Sequence, residues 1–185
     1  MVIGLLGRVG SGKSHIASVL ETHFKCDCID LDKVGHALLE EDYIKSKLLS
    51  LFGEGILNPD ASISRPKLGE LVFSQESKLK ALNTLMHPAM KEKVLTYLKE
   101  TKSEGKVFLM IGALIEEIGL LPYCDKLLVI DAEDSDIEAR VGTKFSISQH
   151  QKSRSHYLEI AHSIVHNRYT SQSEQEAIRI FKELF

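Results

Sequence analysis

Gly7-Arg8-Val9-Gly10-Ser11-Gly12-Lys13-Ser14 fills the pattern G-x-x-x-x-G-K-S/T in full, and its setting decides how the chain around it folds. The apolar run Val2-Ile3-Gly4-Leu5-Leu6 before it reads as a buried strand, and His15-Ile16-Ala17-Ser18-Val19-Leu20 after it as a helix. Strand, glycine loop and helix in that order build a phosphate cradle. The glycines let the loop wrap closely around a polyphosphate, with successive backbone N–H groups turned inward as donors. Lys13 reaches the β- and γ-phosphates, the Ser14 hydroxyl ligates Mg²⁺, and the helix N-terminus adds its partial positive charge. Four fixed positions arise by chance in about one chain of this size per hundred. The strand-before, helix-after context makes accident rarer still. Gly7, Gly10, Ser11, Gly12, Lys13, Ser14 and His15 are the expected nucleoside-triphosphate segment.

The totals fit one α/β domain with a real core. The chain has 185 residues, 43% hydrophobic and 26% charged. A net charge of −3 gives no footprint of nucleic-acid or polyanion binding. Cys26, Cys28 and Cys124 cannot all pair and have no zinc spacing, so reduced thiols are expected. The apolar start is five residues long and runs directly into the glycine loop, as a core strand does. It is too short for a signal peptide or a membrane span. A soluble, cytoplasmic protein is the expectation.

Further apolar runs at 107–111 and 126–130 are short and lead into helical patterns, and short strands also fit Cys28-Ile29-Asp30 and Ser163-Ile164-Val165. The alternation predicts a mostly parallel sheet with helices on both faces, a P-loop NTPase-like three-layer domain. Between the second and third strands lies a long, mainly helical section, about 33–104, too long to be only a connection. The expected organisation is a single domain with its core at about 1–32 and 105–185. The helical insertion would cover the carboxyl ends of the strands, where a second substrate must sit. A polar stretch at about 142–156, with Lys144, Lys152 and Arg154, is the expected lid.

Asp30-Leu31-Asp32 ends the second predicted strand. Two carboxylates at i and i+2 project to one side of extended chain, on a strand expected to neighbour the first and to face the loop. A carboxylate there accepts the proton of an attacking hydroxyl or orients Mg²⁺ through water. The same Asp32 also suits the cap of a helix beginning at Lys33.

The series GRVGSGKS, IDLD, FGEGIL, ISRPKLGELVF and LNTLMHP, followed by the strand at 126–130, resembles the dephospho-CoA kinases. That family has the same blocks in the same order. F-G-x-x-I-L and L-N-x-x-x-H-P carry no general phosphate-binding meaning, so their joint presence discriminates among P-loop kinases. The resemblance covers about residues 2–140 and implies ATP-dependent phosphorylation of the ribose 3′-hydroxyl of dephospho-CoA, the last step of coenzyme A synthesis.

The resemblance implies that Asp32 is the catalytic aspartate. It places His87 with Pro88 at the acceptor substrate, Arg65 at its phosphates, and Glu117 and Asp30 near it. Arg140 is the candidate for spreading γ-phosphate charge, against a surface salt bridge with Glu133 or Asp136. His15 stands where the family has threonine, and Ala113-Leu114-Ile115 where it has a proline-leucine-leucine run. In the last third, the family's acids after an alanine are replaced by His162, Ser163 and His166, and Asn167 keeps its place. His162 and His166 have i,i+4 spacing but no neighbouring Cys or carboxylate at ligand spacing, and the D-x-D pair suits Mg²⁺ better than zinc. The rival readings are a P-loop kinase for another nucleoside or nucleotide, and a nucleotide-binding module whose divergent lid has lost turnover.

Overall fold

The computed structural model describes residues 1–101, 103–141 and 152–184. Ten residues of the expected lid, 142–151, therefore lie outside the described residues. The chain divides into two compact units, Met1–Leu31 with Lys102–Phe185, and Asp32–Thr101.

The first unit is built on β1 (Val2–Leu6), buried at every position, as a strand covered on both faces must be. The glycine loop follows and leads into α1 (Lys13–Phe24). β2 (Asp27–Asp30) then ends directly at α2 (Leu31–Leu38), a helix that begins on the last residue of this unit. The remaining elements of the unit come after the second one: β3 (Phe108–Ile111), β4 (Lys126–Asp131), α6 (Asp134–Val141), α7 (Arg154–Ile160), β5 (Ser163–His166) and α8 (Ser171–Lys182). The five strands form one sheet in the order β2-β3-β1-β4-β5. Every pairing is parallel, with Val2 opposite Phe108, Ile3 opposite Lys126 and Leu128 opposite Ser163. All carboxyl ends thus share one edge, where Leu6, Asp30, Ile111, Asp131 and His166 finish their strands.

α1 and α8 are the helices that close one face. Ile16, Ala17 and Leu20 of α1 join Ala177 and Phe181 of α8 over Ile3, Leu5, Leu109, Leu128 and Val165 in one buried cluster. Phe181 is fully buried, with its ring centroid 4.9 Å from that of Phe24. Each such side chain contributes about 1.5–3 kcal/mol by leaving water.

The expected α/β class and parallel sheet hold. The expected neighbour of β1 does not: β3 lies between β1 and β2, pairing with both. Strand order is set by crossover connections, which local patterns do not encode. The chain also turns helical at Leu31 rather than Lys33. Asp32 therefore lies inside the first helical turn and is not the residue capping it. The extended geometry that puts residues i and i+2 on one side stops at Asp30.

The second unit, taken alone, is helical. α3 (Asp42–Phe52), α4 (Arg65–Phe73) and α5 (Glu76–Thr101) follow the body of α2, with a short 3₁₀ turn at Glu54–Ile56. Met86, Met90, Val94 and Leu98 repeat every fourth residue and are buried along one stripe of α5. Ile44 and Leu48 of α3 and Leu68 and Val72 of α4 are buried in the same unit. Proline usually ends a helix at the residue before it. α5 instead runs through Pro88, and the proline ring is exposed while Met86 and Met90 on either side are buried. The four-residue apolar stripe outweighs the missing N–H.

Candidate active site

The glycine loop is shaped by three residues of positive φ: Gly7 at 143°, Gly10 at 84° and Gly12 at 91°. Two of them are also required by close approach. A Cβ on Gly7 would lie 2.3 Å from the carbonyl oxygen of Ile130, and one on Gly12 would lie 2.1 Å from Nδ2 of Asn167. Lys13 folds back over the loop and donates from Nζ to the carbonyls of Gly7 and Arg8, both at 2.8 Å. Ser11 is 1% exposed, and its Oγ is buried without a hydrogen-bond partner. Ser14 stands exposed in the first turn of α1, whose N-terminus has no side-chain cap. A helix start left open in this way is suited to an anion. His15 points elsewhere, with Nε2 paired to Glu174 of α8 at 2.7 Å.

The loop is gripped from outside by residues distant in sequence. Asn167, 2% exposed at the end of β5, donates from Nδ2 to the Ser11 carbonyl at 2.8 Å and accepts from the N–H of Tyr169 at 2.9 Å. The Tyr169 hydroxyl donates to the carbonyl of Gly10. Arg140, on α6, lays its guanidinium 3.8 Å from the centre of the Tyr169 ring. Arg8 reaches from the loop to the carbonyl of Ala132 at 2.6 Å and to the Asp134 carboxylate. Sequence reasoning carried Asn167 only as a family position and missed Tyr169 altogether.

A second cluster sits at the end of β4. Asp131, buried, takes a fork from Arg154, with Nε to Oδ1 at 2.8 Å and Nη2 to Oδ2 at 2.6 Å. His166 lies 3.3 Å away on Oδ2. Burial pushes the Asp131 carboxyl up, but the hydrogen bonds and charge of Arg154 outweigh it and hold the pKa below the usual carboxylate value. Arg154 also engages Glu133, and its own pKa is raised by both acids. Beside it, His156 pairs with Glu116 at 2.6 Å and Lys152 approaches the same carboxylate at 3.7 Å. The hydrogen bond from His156 lowers the Glu116 pKa, against its partial burial. The Tyr157 hydroxyl donates to the Ala113 carbonyl at 3.0 Å. Glu133 is thus engaged by Arg154, the first residue of α7. Glu117, after β3, keeps one buried carboxylate oxygen, Oε2, without a hydrogen bond.

Of the other candidates, Asp32, Arg65 and His87 belong to the helical unit and Asp30 to the first. Asp32 is exposed in the first turn of α2, two residues beyond the end of β2. Arg65 opens α4 and donates to Nδ1 of His36 at 3.0 Å. His87 is half-buried on α5. Asp30 ends β2 at the sheet's carboxyl edge.

The exposed Ser14 hydroxyl is a hard oxygen donor of the kind Mg²⁺ takes. Among the described residues no cluster of three or more His, Cys, Asp or Glu side chains could hold a metal alone. Mg²⁺ keeps waters and is bound through one or two protein groups together with substrate phosphates. All three cysteines are free, and burial raises the Cys124 thiol to about 12. No helix among the described residues is long and apolar enough to cross a membrane.

A parallel sheet of order β2-β3-β1-β4-β5, with a glycine loop joining its central strand to a helix, defines a P-loop kinase fold. A solved chain from Thermus thermophilus shares that fold at a TM-score of 0.80, with 24% identity over 100% of this chain and 98% of that one. The family model for dephospho-CoA kinase matches residues 1–172, and the chain belongs to that family. Dephospho-CoA kinases from Dehalococcoides mccartyi and Vibrio parahaemolyticus are each 31% identical to it. The first alignment covers 81% of this chain and 76% of the relative, the second 90% and 85%.

Proposed function

We propose that the chain transfers the γ-phosphoryl group of ATP to the ribose 3′-hydroxyl of dephospho-CoA, yielding coenzyme A. The observation that carries this reading is the glycine loop with its lysine and open helix start, in a chain matched by the family model over residues 1–172. The triphosphate lies along residues 7–14. Lys13 leaves the carbonyls of Gly7 and Arg8 to meet the β- and γ-oxygens. Asp32 accepts or orients the proton of the attacking hydroxyl, so that transfer is in line and needs no phosphoenzyme. Lys13 and Arg140 spread the charge of the transition state. Ser14 would hold Mg²⁺ together with the phosphates, and the ion would supply charge neutralisation at the transferring group. Arg65, His87, Glu117 and Asp30 contribute to the acceptor site, and the helical unit carries the first two of these. A cytoplasmic setting belongs to this reading and is supported by three cysteines outside any disulfide.

The divergent last third does not argue for lost turnover. His162 accepts the Leu127 N–H at 3.2 Å and His166 faces Asp131, so both replacements are absorbed where β4 and β5 meet. ADP release measured across a panel of acceptors tests the assignment. Dephospho-CoA should give the highest kcat/KM. Nucleoside monophosphates outcompeting it would replace the acceptor, and ATP binding with no product at saturating acceptor would replace the activity.

A further inference from the structure

The geometry points to Tyr169 as a positioning residue of the phosphate loop, holding its shape through the Gly10 carbonyl and tying it to Arg140. This inference rests on the nucleotide reading above. In a trans peptide the C=O and N–H point in opposite directions, so fixing one fixes the other. Tyr169 holds the carbonyl of the Gly10–Ser11 peptide, whose N–H makes the loop-closing bond to the Arg8 carbonyl at 3.1 Å. Asn167 holds the next carbonyl, that of Ser11, and so turns the Gly12 N–H the opposite way. Two consecutive peptide planes of the loop are therefore set by side chains from beyond β5.

Tyr169 is placed for this role at a conformational cost. Its φ is 57°, in the left-handed region that a bulky residue rarely occupies, and Asn167 stabilises it there by accepting its N–H. Burial raises its phenol pKa, so the hydroxyl is a proton donor throughout the neutral range. The ring carries the Arg140 guanidinium at 3.8 Å, close enough for a cation–π contact. The phenol thus joins the loop to Arg140, the cation assigned above to the transferring phosphate. Tyr169 acts through these groups and does not itself touch the reacting atoms.

The test is calorimetric ADP binding to the full chain, with melting temperature and steady-state constants measured in parallel. Tyr169→Phe keeps the ring and loses the donor. It should weaken ADP binding about five- to tenfold, the worth of one net hydrogen bond, raise KM for ATP similarly and leave KM for the acceptor unchanged. Tyr169→Gly relieves the left-handed backbone while removing both hydroxyl and ring. It should weaken ADP binding further while the melting temperature holds or rises. Wild-type ADP affinity in Tyr169→Phe overturns the inference, as does a Tyr169→Gly protein whose affinity falls only in step with its melting temperature. A wild-type chain that binds no ADP overturns the nucleotide reading and this inference with it.

Discussion

The glycine loop and the cluster at the end of β4 are both assembled at the carboxyl edge of one sheet, and they are held in opposite ways. The loop is eight consecutive residues, fixed by backbone conformation and by neutral donors from Asn167 and Tyr169. The β4 cluster draws Glu116, Asp131, Glu133, Arg154 and His156 from three separate stretches and is held by charge. A site that must receive a highly charged ligand sets its peptide planes with neutral donors, ties Arg8 outward to Asp134 and keeps its one ammonium on backbone carbonyls. A site whose task is to tether a helix can satisfy its charges permanently.

If that division is correct, changes in the loop act on turnover and changes in the cluster act on stability. Lys13→Ala should give the largest effect, lowering kcat by about 10³-fold or more with little change in melting temperature. Asp32→Asn extends the test to the helical unit. A drop in kcat of about 10²- to 10⁴-fold, with ATP affinity nearly unchanged, fits a general base. Near-wild-type kcat would remove that role from Asp32.

Arg154→Ala should do the reverse. It leaves the Asp131 carboxylate buried without its main partner and should lower unfolding free energy by about 2–3 kcal/mol, read from denaturant melts. A loss of turnover with unchanged stability would break the comparison. The pH dependence sharpens it. The Asp131 and Glu116 carboxyls have lowered folded pKa values, so their contribution is complete above the unfolded range of about 4. It is lost as pH falls through the folded values. The melting temperature should fall as pH drops below about 4, less steeply in Arg154→Ala. The smallest effect should come from His15→Ala: its pair with Glu174 is exposed and worth under about 1 kcal/mol.

The same contrast explains what the sequence reveals. The loop is legible because its chemistry is local: residues 7–14, a strand before and a helix after. The sheet class follows from the apolar runs at 2–6, 107–111 and 126–130. Tyr169 is not legible, because it meets Gly10 across 159 positions of chain and carries no motif. The Asp131–Arg154 fork is hidden for the same reason, and Arg154 reads from sequence as a lid cation. The order of β2 and β3 depends on how a long crossover returns to the sheet. Pro88 misleads because a helix-breaking signal is local, while the stripe that overrides it emerges only from packing.

Lys13 at rest occupies the mouth of its own loop, with its ammonium shared between the carbonyls of Gly7 and Arg8. An incoming triphosphate must draw it off both, and a departing diphosphate gives it back to both. Breaking those two contacts offsets part of what the phosphates contribute on binding, so affinity is moderated and spent nucleotide can leave.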